Sequence, residues 1–126
     1  GILMVNTEKF VKRAMEVLDD RQAQDLIRIP IREKSSLADD FIVCHGGSTV
    51  QVKALADEVI YQLEKDFGLE PLSVEGLENL HWVLLDYGDF IVHIFTKQAR
   101  NYYELEKLWL SQEDLDALNA RPDKNA

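Results

Sequence analysis

Two glycines, a serine and two aspartates form the strongest chemical constellation in the chain. Gly46-Gly47-Ser48 stands just before a segment with helical periodicity, and Asp86 and Asp89 follow downstream. In nucleotidyl-transferring enzymes, glycines of this kind let phosphates approach a helix N-terminus while paired carboxylates hold Mg²⁺. Here Asp86 falls on a strand and Asp89 in the turn after it, so the pair need not converge on one ion. A Mg²⁺-dependent nucleotidyltransferase acting through Gly46, Gly47, Ser48 and Asp86 is therefore the alternative reading, not the first.

Other reactive groups point less far. Cys44 is the single cysteine and ends an apolar run, where a thiol behaves as a small hydrophobe rather than a nucleophile. His45, His81 and His93 lack metal-ligand spacing, so neither metal nor cofactor is expected. His93 is the histidine placed to fix a strand face through a hydrogen bond, or to meet a partner.

Charge is more informative. The 126 residues carry 14 Lys and Arg against 23 Asp and Glu, a net charge of −9. Such a chain has no electrostatic footprint for phosphate backbones or anionic lipid, which argues against direct nucleic-acid or membrane binding. Between residues 57 and 89, nine acids (Asp57, Glu58, Glu64, Asp66, Glu70, Glu75, Glu78, Asp86 and Asp89) face Lys65 alone. A solvated acidic face is one account of the block. The other is a docking surface for a basic partner, because Trp82 and Tyr87 supply aromatic anchors beside charges that steer.

The elements that must position these groups are legible. Apolar residues recur at three- and four-residue spacing across residues 7–21, predicting an amphipathic helix. Residues 25–32 alternate as a strand, and Pro30, which cannot donate to a ladder, puts that strand at an edge or across a bulge. A second strand spans 41–44. Ser48 and Gln51 form a capping box that opens a helix running to Gly68. Residues 74–75 read as a short strand.

Two apolar runs, WVLLDY and FIVHIF, flank Gly88-Asp89, the signal for a hairpin with a two-residue turn. Counting outward pairs Tyr87 with Phe90, Asp86 with Ile91, Leu85 with Val92, Leu84 with His93, Val83 with Ile94 and Trp82 with Phe95. One face, including Tyr87, is almost wholly apolar. The other mixes Trp82, Leu84, Ile91 and Phe95 with Asp86 and His93. A last helix is predicted over 98–110, with Ala99, Tyr102, Leu105 and Trp109 in line, and residues 111–126 read as an acidic, flexible tail. Tyr103 and Trp109 read as packing.

The length suits a single domain, and the order of elements gives an α/β fold, a mixed sheet covered by helices. No apolar run reaches the roughly 20 residues of a membrane span, and the chain opens without a basic-then-apolar leader, so a soluble cytoplasmic protein is expected.

The segments ADDFIVCHGGSTVQVKALAD, Glu75-Gly76, WVLLDYGDFIVHIF and RNYYELEKLW, in this order and spacing, resemble the ribosomal silencing factor (Iojap-like) family from about Leu26 to Trp109. The resemblance implies a domain over residues 1–110 related in topology to nucleotidyltransferases but without catalysis. It further implies binding to large-subunit ribosomal protein fourteen, obstruction of small-subunit joining and repression of translation. Position by position, Trp82, Leu84, Asp86, Tyr87, Gly88, Asp89 and His93 occupy one family signature, and Arg100, Tyr102, Tyr103, Leu105 and Trp109 another. Val50 departs from the pattern, which commonly has Arg there, and so does His45-Gly46-Gly47, where a Ser-Gly-Thr type turn is common. The expected partner-binding residues are Trp82, Leu84, Asp86, Tyr87, Asp89 and His93, with Glu75 in support. Self-pairing of the hairpin face as a homodimer is a further possibility.

Overall fold

The computed structural model describes residues 2–34 and 36–110, with side chains from Thr7 onward. The predicted tail, residues 111–126, lies outside the described residues. In chain order the elements are α1 (Ile2–Asp20), β1 (Gln24–Pro30), β2 (Asp40–Gly46), α2 (Thr49–Phe67), β3 (Ser73–Glu75), β4 (Trp82–Asp86), β5 (Phe90–Thr96), α3 (Lys97–Tyr103) and α4 (Leu105–Trp109).

The strands form one mixed sheet in the order β1-β2-β5-β4-β3. The β2–β5 pair is parallel and the other three pairs are antiparallel. The central β2 and β5 are buried along their whole length, as their uninterrupted apolar runs require. β1 lies at an edge and closes on Pro30, the first of the two placements that proline allowed; its register shift falls elsewhere, between Gln24 and Ile27.

Local chemistry sets the boundaries. The Gln51 N–H donates to Ser48 Oγ at 3.2 Å, and Gln51 Oε1 accepts from the Gly47 N–H at 2.6 Å. Gly68 closes α2 in the left-handed conformation, with its N–H on Glu64 O and that of Leu69 on Leu63 O. The hairpin has the register that counting gave, and Tyr87 N–H donates to Phe90 O across the Gly88-Asp89 turn.

The sheet separates two apolar layers. On one face α1 and α2 pack Val11, Ala14, Leu18, Leu55, Val59 and Leu63 against Val83, Leu85, Val92 and Ile94. On the other, α3 and α4 bring Ala99 and Leu105 onto Ile27, Ile29, Phe41, Val43, Ile91 and Phe95. Arg28 clamps α1 to the β1 edge, reaching Glu8 at 2.6 and 2.8 Å and Asp40 twice at 3.1 Å.

One expectation fails at residues 98–110. The helix breaks at Glu104, which adopts a left-handed conformation with φ of 51°, and the chain continues as the short α4. Ala99, Leu105 and Trp109 still reach the core, but Tyr102 is turned away and is 81% exposed. The break lets Arg100 and Glu106 meet at 2.5 Å, an ion pair largely shielded from water.

Candidate functional site

The α3–α4 pair covers the β1, β2 and β5 end of its face and leaves β4 and β3 partly open. Cross-strand pairing puts Trp82, Leu84 and Asp86 of β4 and Ser73 and Glu75 of β3 on this same open side. Trp82, Leu84 and Asp86 are each half-buried, and Glu75 is exposed.

Trp82 is the centre of this region. Its ring lies 4.8 Å from Phe95 and 4.9 Å from Tyr103, and Tyr102 meets Tyr103 edge-on at 5.0 Å. Its Nε1–H donates to Nδ1 of His93 at 3.1 Å. Gly76 makes room for the strand carrying it: with φ of +91°, it packs so closely that a β-carbon there would lie 1.9 Å from the Trp82 carbonyl oxygen.

His93 sits beneath, only 3% exposed, edge-on to Phe41 at 4.5 Å. Burial alone holds its imidazole down to a pKa of about 4, so the ring is neutral near pH 7. With Nδ1 accepting from Trp82, the proton resides on Nε2, a buried atom with no hydrogen-bond partner among the described residues.

The other expected site residues scatter. Asp86 accepts from the Gly88 N–H at 2.8 Å and so holds the hairpin turn. Asp89 accepts from Thr7 Oγ at 3.1 Å, a contact with α1. Tyr87 is buried on the opposite side of the sheet, stacked on Phe90 at 4.9 Å, and burial pushes its phenol well above the ordinary range. The structure therefore places Trp82, Leu84, Asp86 and Glu75 on one side of the sheet, with His93 bonded to Trp82, and separates Tyr87 and Asp89 from them.

The acidic block likewise divides. Asp57 pairs with Lys53, Glu58 with Arg21 and Asp66 with Arg13, the last two joining α2 to α1. Glu75 and Glu78 are exposed and make no ion pair among the described residues. Glu75 lies on the open side through its pairing with Leu84, and Glu78 follows in the loop between β3 and β4.

Two residues escaped reasoning from composition and periodicity. Tyr103, read as packing, is 52% exposed and flanks Trp82. Arg100 is buried, with Nη1 3.0 Å from His45 Nδ1 and 3.2 Å from the Gln24 carbonyl, and Nε on Glu106. Burial and the neighbouring guanidinium both lower the pKa of His45. This cluster pins α3 and α4, and hence Tyr103, to the ends of β1 and β2. Its only sequence sign was the family signature that includes Arg100.

The residues of the enzymatic alternative do not converge. Gly46 pairs with Thr96 whereas Asp86 pairs with Ile91, so they stand at opposite ends of β5, roughly 16 Å of strand apart. The helix N-terminus is also filled by the chain itself, because Gln51 takes up the Gly47 N–H and Ser48 Oγ. Cys44 is fully buried, its thiol pushed up to about 12 by burial. Among the described residues no group of three His, Cys, Asp or Glu side chains could hold a metal ion, and no helix is long and apolar enough to cross a membrane.

A family profile described as "Ribosomal silencing factor during starvation" matches residues 5–126. The chain belongs to the ribosomal silencing factor family. A Bacillus subtilis ribosomal silencing factor is 40% identical over 105 residues, covering 83% of this chain and 88% of that protein. A crystal structure of a Chromobacterium violaceum protein superposes with a TM-score of 0.77 at 39% identity, covering 81% of this chain and 84% of the other. More distantly, the mouse protein named "Mitochondrial assembly of ribosomal large subunit protein 1" is 27% identical over 97 residues, covering 75% of this chain and 42% of its own. The names of these ribosomal silencing factor relatives denote a regulatory rather than an enzymatic role.

Proposed function

We propose that this ribosomal silencing factor acts in the cytoplasm by docking on large-subunit ribosomal protein fourteen, through the open face of β3 and β4. The docked protein then stands where the small subunit must join. Translation is repressed by occupancy, with no chemical step. Trp82 is the apolar anchor, Leu84 and Tyr103 border it, and Glu75 and Glu78 steer toward basic side chains.

The observation carrying this reading is that Trp82 is held half-buried between Tyr103 and Phe95, on the same side of the sheet as Glu75, which makes no ion pair among the described residues. Interfaces concentrate their energy in such fixed aromatics, while rim charges set on-rate and orientation. Asp86 stays at the border of the surface through the turn it holds. Tyr87 is left out of it, and Asp89 acts on the α1 side.

The test is sedimentation of purified ribosomal subunits with and without the protein. The wild type is expected to travel with the large subunit and lower the fraction of joined ribosomes, and Trp82→Ala to do neither. Unchanged joining with wild-type protein in excess would reject the occlusion mechanism. Binding that survives Trp82→Ala would reject this face.

A further inference from the structure

His93 lies under the docking surface rather than on it. At 3% exposure, and edge-on to Phe41, it has no route to a partner while Trp82 is in place. Yet it is not an inert core residue. Its Nδ1 accepts the Trp82 indole N–H at 3.1 Å, and its own Nε2–H is left buried without an acceptor among the described residues. An apolar side chain would fill this space with no orphaned donor. The one polar contact the imidazole makes is therefore the one with Trp82.

A tryptophan at an interface ordinarily offers its indole N–H to the partner, and the ring swings about its side-chain torsions to reach an acceptor. Here the N–H is spent inward. The ring is fixed by His93 from below, Phe95 along the strand pair and Tyr103 from α3. Trp82 thus presents a partner with ring surface and no hydrogen bond.

We propose that His93 is a positioning residue for partner docking: by accepting the Trp82 indole N–H it locks the ring in the orientation that the partner meets, without touching the partner itself. This rests on the reading of Trp82 as the anchor. It assigns His93 a role different from the direct contact that the family signature suggested.

The experiment pairs a spectroscopic readout with binding. In ¹⁵N-labelled protein the two indole N–H signals, from Trp82 and Trp109, are told apart with Trp82→Phe. The Trp82 signal is expected displaced from the free-indole position and slow to exchange with solvent. His93→Leu removes the acceptor, so the signal moves to the free position and exchanges fast, and affinity for purified large subunits falls about tenfold, the size of one lost hydrogen bond's ordering. His93→Asn, whose Oδ1 stands where Nδ1 stood, recovers the signal and most of the affinity. A merely structural role would move stability but not this signal in step with affinity.

A His93→Leu protein that loses the signal yet binds like wild type overturns the proposal, as does a Trp82 signal indifferent to His93→Leu. If His93→Leu does not fold, His93→Met takes its place with the same two readouts. Wild-type protein that fails to bind the large subunit overturns the proposed function and this inference together, whereas binding by wild type and His93→Leu alike overturns this inference alone.

Discussion

Gly76 and Trp82 touch through their backbones: a β-carbon on the glycine would stand 1.9 Å from the tryptophan's carbonyl oxygen, where φ is already +91°. Neither atom is the end of a flexible side chain, so the strand must move to accommodate any side chain. Gly76→Ala is expected to lower stability by about 2 kcal/mol or more, from strain and overlap together. Urea unfolding would measure this, and a variant as stable as wild type would contradict the geometry.

His93 gives the fold a pH dependence of known sign. Its pKa is about 4 when folded and near 6.5 when exposed, so at intermediate pH the unfolded chain binds the proton and the folded one does not. Stability is then full above about pH 6.5 and falls as pH drops toward 4, by about 2 kcal/mol between pH 7.5 and 5. His45, lowered by burial and by Arg100, contributes in the same direction. His93→Leu should flatten most of this slope and, by removing the orphaned Nε2–H, raise stability at pH 7.5 by about 1 kcal/mol. A slope unchanged by the substitution would show that His93 is not its source.

Removing Arg100 should be costly beyond the loss of one ion pair. It leaves Glu106, the Gln24 carbonyl and His45 Nδ1 without their shared donor. Arg100→Met is expected to destabilise by about 3 kcal/mol, with Glu106→Gln in the same chain restoring part of it. Hydrogen exchange would show the loss first in α3 and α4. Uniform loss across the sheet would place the effect elsewhere.

Tyr87 separates the structure from the linear signature. Its hydroxyl is buried on the α2 side of the sheet, with no hydrogen-bond partner among the described residues. Tyr87→Phe should leave affinity for large subunits within about twofold and stability equal or slightly higher. Weakened binding comparable to that of Trp82→Ala would return Tyr87 to the docking surface.

Glu75 and Glu78 should act through rate and salt. Glu75→Gln with Glu78→Gln is expected to slow association about threefold at low salt and to flatten its salt dependence, with little change in dissociation. An unaltered salt slope would remove both from the contact.

The legible parts of the fold were those decided locally. Gly88-Asp89 between alternating runs fixed the hairpin register, Ser48 and Gln51 fixed the start of α2, and Pro30 sent β1 to an edge. The same register placed Tyr87 on the apolar face, where it lies, although the family signature grouped it with Trp82. The break at Glu104 was hidden because glutamate is a good helix former and what accompanies the break is tertiary: Arg100 is held by His45 and the Gln24 carbonyl, and Glu106 meets it only across the kink. The acidic block is partly answered for a similar reason. A count along the chain cannot show that Asp66 is answered by Arg13 of α1 and Glu58 by Arg21 in the turn after it.

The parallel contact at the middle of the sheet also governs the order in which the molecule can form. β4 and β5 are joined by a two-residue turn and can zip locally, but β2 pairs residue 40 with residue 90 and encloses α2, β3 and β4 in the loop it closes. Closing so long a loop is slow relative to hairpin formation. During synthesis, α1, β1, β2 and α2 therefore emerge with the inner edge of β2 unpaired, and they stay so until residues 90–96 arrive.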